Sequence, residues 1–385
     1  MKHKFLLSPF IIFLIIFLIE KLFLLSSVRD YTQNWKKFEP YIYESREDLF
    51  RQLESEYMTR KQKGESPGFV FGTSRSGEIA EKNFAASKGI YLYNFSTPLA
   101  SYPQHYYWIK RITDSGIKPE YVIIEHDFIM FTETSMSYTL AYSLDIPFVI
   151  QHTDFLSSDE SFQMEKPFLS DSKGFEYKFA ERYFLKKMFA LYRYPVDFRS
   201  FSQNRKEQHF GMTGIDINRA ARELIQKSNR ENLGGMENTF LLAEVPEDQI
   251  EKDVEDKIKK FNLYAYNPSK TQIVFFNKII QLLAEKRIPV ILFRPMLSGP
   301  FRKKISNPVP QLWNPEAMEK KIVQSVLDRH LSSHPEASIV IFEPEHDQRI
   351  SCRKFMDATH LSAGCSGELI QSLKESIGRA IRNSR

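Results

Sequence analysis

The sequence predicts an α/β fold: a doubly wound, mainly parallel five-stranded sheet, carrying a mostly helical insertion and preceded by an N-terminal transmembrane helix. Three observations predict it. Five short apolar runs rich in β-branched and aromatic residues recur along the 385-residue chain, each too short for a helix and unbroken by polar alternation, as strands buried on both faces should be. Longer amphipathic stretches separate them, and strands alternating with helices imply a parallel sheet. One long stretch then breaks that alternation.

Taken in order, residues 5 to 25, "FLLSPFIIFLIIFLIEKLFLL", come first. About 20 apolar residues span a bilayer at 1.5 Å rise each. The preceding "MKHK" is a basic n-region, yet no small-x-small cleavage site follows, so the segment reads as an uncleaved signal anchor rather than a cleaved signal. Lys2 and Lys4 compete with Lys21, Arg29, Lys36 and Lys37 for the cytoplasmic side; the short tail is placed inside and the body outside the cytoplasmic membrane. Residues 28–66 mix charge with aromatics and end in Gly, Ser and Pro, which reads as a membrane-proximal helical stalk and a loop.

The strand runs are "GFVFG" (68–72), "IYLYNFS" (90–96), "EYVIIEHD" (120–127), "IPVILFRP" (288–295) and "ASIVIFEP" (337–344). Between the first two, Ser76 to Phe84 fits a helix. In "PQHYYWIKRITDSG", Tyr107, Ile109 and Ile112 share a helical face that ends at Gly116. "NPSKTQIVFFNKIIQLLAEKR" is the clearest helix: Ser269 and Gln272 form an S-x-x-Q capping box, and Ile273, Phe276, Ile279, Ile280 and Leu283 make its apolar stripe. Residues 141–262 form the insertion, with an aromatic amphipathic helix in "FEYKFAERYFLKKMFALYRY" and charged segments such as "EVPEDQIEKDVEDKIKKF". That aromatic helix is a lid, a membrane-contact face or plain packing. The organisation is therefore an anchor (1–27), a stalk (28–66), a first core part (67–140), the insertion and a second core part (263–385).

Composition narrows the function. Fifty-three basic and 48 acidic residues leave a scattered net charge of +5, which does not suggest a nucleic-acid partner. Cys352 and Cys365, with no CxxC, make no metal site; they pair if the body is exported, or stay free and buried. No metal or cofactor is implied.

The chemistry is expected beyond the carboxyl ends of the strands, where open α/β sheets gather ligands. Ser74, in "FVFGTSRSGE", follows the first strand, and a helix N-terminus there would offer N–H groups to an oxyanion. The neighbouring Ser76 reads as a helix cap. In "KFMDATHLSAGC", Asp357 and His360 lie three apart, after the fifth strand and before the last helix. Nucleophilic catalysis asks for this set: an imidazole to take the serine proton and an acid to orient the ring.

A serine after the first strand and a D-x-x-H before the last helix resemble the SGNH (GDSL-type) hydrolase superfamily, whose sheet is flavodoxin-like. The anchored form resembles the branch with alginate and peptidoglycan O-acetylation proteins, the teichoic acid D-alanylation protein and uncharacterised spirochaetal envelope proteins. The likeness covers about 200 of the 385 residues. It implies Ser74 as nucleophile, His360 as general base and Asp357 as its orienting acid, in an esterase or O-acyltransferase acting on an envelope glycan or lipid. A multi-spanning membrane acyltransferase is the partner implied. Thr73 stands where the common form has Asp, and the second-block glycine lacks a counterpart in "YNFSTPLAS", where Ser96 or Ala100 would lend an N–H. At the third-block asparagine stand Glu125, His126 and Asp127. A chain that has lost these donors reads instead as a silent glycan-binding or assembly subunit. Arg75, His126, Asp127 and Arg294 are candidates to line the substrate pocket, each with a structural alternative; His105 and His346 read as satisfied loop histidines.

Overall fold

The computed structural model describes residues 2–34, 39–84, 89–132, 139–140, 142–156, 181–196, 202, 208–209, 211–236, 245–306 and 314–384. Seven strands occur among them: β1 (Ser66–Phe71), β2 (Ile90–Asn94), β3 (Tyr121–Glu125), β4 (Gln208–His209), β5 (Met212–Thr213), β6 (Val290–Phe293) and β7 (Ile339–Phe342). Five form one sheet in the order β2-β1-β3-β6-β7, every pair parallel. Each lies within or overlaps one of the five apolar runs. The remaining two make a small antiparallel ladder within the insertion.

Alternation along the strands explains the apolar runs. Phe69, Phe71, Val122, Ile124, Val290 and Leu292 enter one core with Trp108, Phe276, Ile279 and Leu283. Their neighbours Val70, Ile123, Ile291, Phe293 and Phe342 enter a second core on the other face, with Val254, Phe301 and Leu373. Both faces are covered, so no polar residue is tolerated at alternate positions.

The helices follow local chemistry. Tyr102–Asp114 buries Tyr107, Trp108, Ile109 and Ile112, and the chain leaves it through Gly116 at φ 79°, a conformation that favours glycine. His105 sits in this helix and is fully buried against Phe71 and Tyr102, not in a loop. Lys270–Glu285 is capped by Ser269, whose hydroxyl accepts from the Gln272 N–H. The Gln272 side chain does not return to the cap: its Oε1 accepts from the Tyr102 N–H at 2.9 Å and ties two helices together.

Of four expectations, the structure revises the first and adds detail to the other three. The helix expected from Ser76 to Phe84 is a 3₁₀ turn, Ser74–Ser76, followed by a short helix at Glu81–Phe84, because the Ser76 hydroxyl is drawn to Glu125 instead of capping. The stalk region packs on the body: helix Glu39–Gln62 buries Leu49, Phe50, Leu53 and Tyr57 in the first core, and its Arg46 is buried, donating to Ser96 O and Asn229 Oδ1. The insertion packs into both cores: Phe148, Leu156 and Tyr183 join one and Ile250, Val254 and Ile258 the other. Its aromatic helix lies partly outside the described residues; from Glu181 it runs as a π turn and two short helices broken at Phe189.

The fourth concerns the N-terminus. Helix Lys2–Glu20 gives way to a 3₁₀ turn at Lys21–Leu24 and then to helix Ser26–Thr32. Glu20 accepts from the Leu191 N–H at 2.7 Å and Lys21 donates to the Met188 carbonyl, so the charged pair docks on the insertion where the chain turns. No single helix among the described residues is long and apolar enough to cross a membrane; Pro9–Leu24 and Ser26–Thr32 pass that test only as a pair bent by 85°. The side chains from Phe10 to Ile16 are exposed.

Candidate active site

Strand order reverses around β1 and β3, and the crevice beyond their carboxyl ends is where a parallel sheet offers a site. The turn after β1 lies there, built around a buried carboxylate at the end of β3. Glu125, fully buried, accepts from the Thr73 N–H (2.8 Å), the Thr73 hydroxyl (2.7 Å), the Ser76 hydroxyl (2.5 Å) and Arg75 Nη2 (2.7 Å). Thr73, Arg75 and Ser76, around Ser74, are thus fastened to one side chain. Gly72 permits the approach: a Cβ there would sit 2.4 Å from Ser76 Oγ and 2.6 Å from Glu125 Oε2. Asn94, at the end of β2, secures the far side by donating to the carbonyls of Ser76 and Ile79, each at 2.8 Å.

The second piece is the loop between β7 and the last helix, Ser366–Asn383. Cys352 and Cys365 are joined by a disulfide, with their Cα atoms 5.4 Å apart, closing a loop that contains both Asp357 and His360. An isolated bridge between Phe355 and Leu361 narrows it further. The insertion then braces it: Asp253, on helix Glu247–Lys260, accepts from the Ala358 N–H at 2.9 Å, and Lys257 pairs with Asp357 Oδ2 at 3.0 Å. Sequence reading saw only a charged helix there.

The two pieces meet. Ser74 Oγ lies 2.8 Å from His360 Nε2, and His360 Nδ1 lies 2.9 and 2.8 Å from the two Asp357 oxygens. Asp357 Oδ1 also accepts from the Thr359 and His360 N–H groups at 2.7 and 2.8 Å. Burial alone would raise the Asp357 carboxyl; His360, Lys257 and the Thr359 N–H together hold it well below the usual carboxylate range. The acid behind the imidazole is therefore an anion at neutral pH, able to orient Nδ1–H and stabilise an imidazolium. Ser74 and His360 line a crevice of ≈ 20 Å³ with Glu78, Ile79, Leu361 and Leu369. This is no more room than a water needs.

Arg75 also lines that crevice, and the other candidates do not. Arg75 is neither a surface ion-pair residue nor free for substrate: its guanidinium is buried between Glu125 and Asp127. Burial would lower its pKa, but Asp127 and Glu125 hold it above the ordinary value. Asp127 likewise lies below its ordinary value despite burial, because Arg75 pairs with it and the Met130 N–H donates to it. Ser96 and Ala100 offer no free amide, since the Ser96 N–H donates to Asn94 Oδ1 at 2.8 Å and the Ala100 N–H to Thr97 O at 3.2 Å. Arg294 pairs with Glu319, Glu316 and Glu343, and His126 with Glu319, in a separate place. His346 is exposed, 3.6 Å from Glu343. Among the described residues, no group of three or more His, Cys, Asp or Glu could hold a metal ion.

A family model described as "Protein of unknown function (DUF1574)" matches residues 1–376. No curated protein matches the chain. The match takes in nearly the whole length, so the chain belongs to the DUF1574 family.

Proposed function

We propose that this DUF1574 member is a membrane-anchored, SGNH-like serine esterase or O-acyltransferase acting on an envelope glycan or lipid. The observation that carries the reading is the hydrogen-bonded sequence Ser74, His360, Asp357 at the carboxyl edge of a parallel sheet. The order β2-β1-β3-β6-β7 supports the flavodoxin-like form of the sheet.

In this reading Ser74 Oγ attacks the carbonyl carbon of an acyl ester while its proton passes to His360 Nε2. The tetrahedral intermediate collapses, the ester C–O bond breaks, and His360 returns the proton to the departing alcohol. The acyl-enzyme then loses its acyl group to water or a sugar hydroxyl, whose proton goes to His360 and on to Ser74. Of the amides in the turn, those of Thr73, Arg75, Ser76 and Gly77 have acceptors. The Ser74 N–H has none among the described residues and is the oxyanion donor this mechanism uses. A multi-spanning acyltransferase would supply the acyl group.

Two features support the location. Disulfides persist in oxidising compartments, and one closes the catalytic loop. The exposed apolar run from Phe10 to Ile19 suits a bilayer, with the body on the extracytoplasmic side.

A second reading, a silent glycan-binding or assembly subunit, is favoured by one observation. The Ser96 and Ala100 amides are committed elsewhere, and losing one oxyanion donor typically costs about 10²- to 10³-fold in rate. Hydrolysis of p-nitrophenyl acetate by the full chain in detergent micelles separates the two. Nitrophenolate release abolished by Ser74→Ala supports the enzyme. A folded protein with no release above buffer favours the silent subunit.

A further inference from the structure

A cavity of ≈ 800 Å³ lies beside β7 and shares no residue with the Ser74 crevice. Its walls come from helix Pro315–Ser333, the end of β7 and the last helix. His126 lines it from the end of β3. Side chains alternate along and just past a strand: Glu125 and Asp127 turn to Arg75, while His126 meets Glu319 of helix Pro315–Ser333.

The chemistry of this second place is specific. His126 Nδ1 lies 2.7 Å from Glu319 Oε1, with both side chains at least 97% buried, and Arg294 lies 3.1 Å from the other Glu319 oxygen. With Nδ1 engaged by the carboxylate, Nε2 is the ring nitrogen left for another partner. That atom is buried and has no hydrogen-bond partner among the described residues. A buried polar atom left unpaired costs on the order of 1–3 kcal/mol, and this one belongs to a residue that lines the cavity.

The acids of the wall are already matched: Glu319 and Glu343 by Arg294, and Asp347 by Arg349. Lys320 and Arg379 have no carboxylate partner among the described residues; Arg379 donates to Ser376 Oγ. Val323 and the 44% exposed Ile341 add an apolar surface.

We propose that this cavity binds a small anionic, hydroxyl-bearing ligand of the sugar-acid or sugar-phosphate class. Lys320 and Arg379 take the negative charge, His126 Nε2 pairs with a ligand hydroxyl, which can donate or accept, and Val323 with Ile341 covers an apolar ring face. The site stands apart from the acyl chemistry at Ser74 and does not depend on it.

Isothermal titration of the full chain in detergent micelles with glucose 6-phosphate and with glucuronate tests the assignment, with glucose and inorganic phosphate as controls. Saturable binding of at least one anionic sugar is expected, and which one binds distinguishes a phosphate from a carboxylate. Each control should bind at least ~10-fold more weakly, the loss of one charged hydrogen bond. Lys320→Ala with Arg379→Ala, both solvent-facing and so compatible with folding, should weaken binding by roughly 10- to 100-fold. His126→Phe should weaken it as well, and Ser74→Ala should leave it unchanged. No saturable binding of either anionic sugar, binding that the double variant leaves intact, or inorganic phosphate binding as tightly as glucose 6-phosphate would overturn the proposal.

Discussion

The turn that carries Ser74 and the loop that carries Asp357 and His360 are held by different physics. The turn is organised from beneath by Glu125, a buried anion with four donors, and needs no covalent help. The loop is closed by a disulfide and braced from outside by Asp253 and Lys257 of the insertion. A serine placed by an interior carboxylate is fixed by the core itself, so it loosens only when the core does. A carboxylate and imidazole placed by a clasped surface loop can loosen while the sheet stays intact. The contrast predicts that the two halves fail differently.

The sharpest way to break the comparison is to remove the groups themselves. Ser74→Ala or His360→Ala should abolish serine-dependent turnover, by about 10⁴-fold or more, with no change in circular dichroism. An unchanged rate in either variant would sink both halves at once. Next comes the buried side. Glu125→Gln removes the charge that Arg75 faces in the interior, and breaking a buried pair costs about 3–5 kcal/mol. Chemical denaturation should show that loss as a fall in global stability. Stability within 1 kcal/mol of the parent would show that the turn is held some other way.

The loop should behave otherwise. Replacing Cys352 and Cys365 by serine opens a 13-residue separation, worth about 3 kcal/mol by loop entropy. The rate of reaction at Ser74 should fall several-fold while far-UV circular dichroism stays native. Equal loss of both signals would erase the distinction.

Acid supplies a further test on the core. Burial pushes the His105 imidazole down to about 3. Unfolded, it titrates near 6.5. The unfolded chain therefore binds the extra proton first, so this contribution is complete above pH 6.5 and declines as pH falls towards 3, by about 1.4 kcal/mol per pH unit at most. His105→Gln should flatten that slope in denaturation curves measured from pH 7 to 4. The smallest effect is expected at Lys257, whose pair with Asp357 is partly exposed. Lys257→Met should cost a few-fold in rate and less than ~1 kcal/mol in stability.

Much of the frame could be read from the letters because burial on both faces leaves a simple trace. A run such as "EYVIIEHD" admits no alternation, and a capped apolar stripe such as that of Lys270–Glu285 has one reading. The serine, acid and imidazole were legible for a similar reason: their distance from strand ends fixes which edge they reach. What holds them was not. Glu125 at the end of a strand looks like a pocket residue, and only the fold shows four donors converging on it. Lys257 and Asp253 sit in a helix whose charges suggest a solvated face, although Ile250, Val254 and Ile258 bury its other side. Arg75 and Asp127 were candidates to face substrate, each with a structural alternative; each is more stable facing the other, because two buried charges must be matched. Long-range pairing of charges leaves no local signature in sequence.

The most direct test of the central claim is to map by mass spectrometry where a fluorophosphonate probe attaches to the full chain at neutral pH. The account predicts one adduct, on the peptide containing Ser74, lost in His360→Ala while the protein stays folded. A folded protein that takes up no probe, or takes it up at another serine, would contradict it.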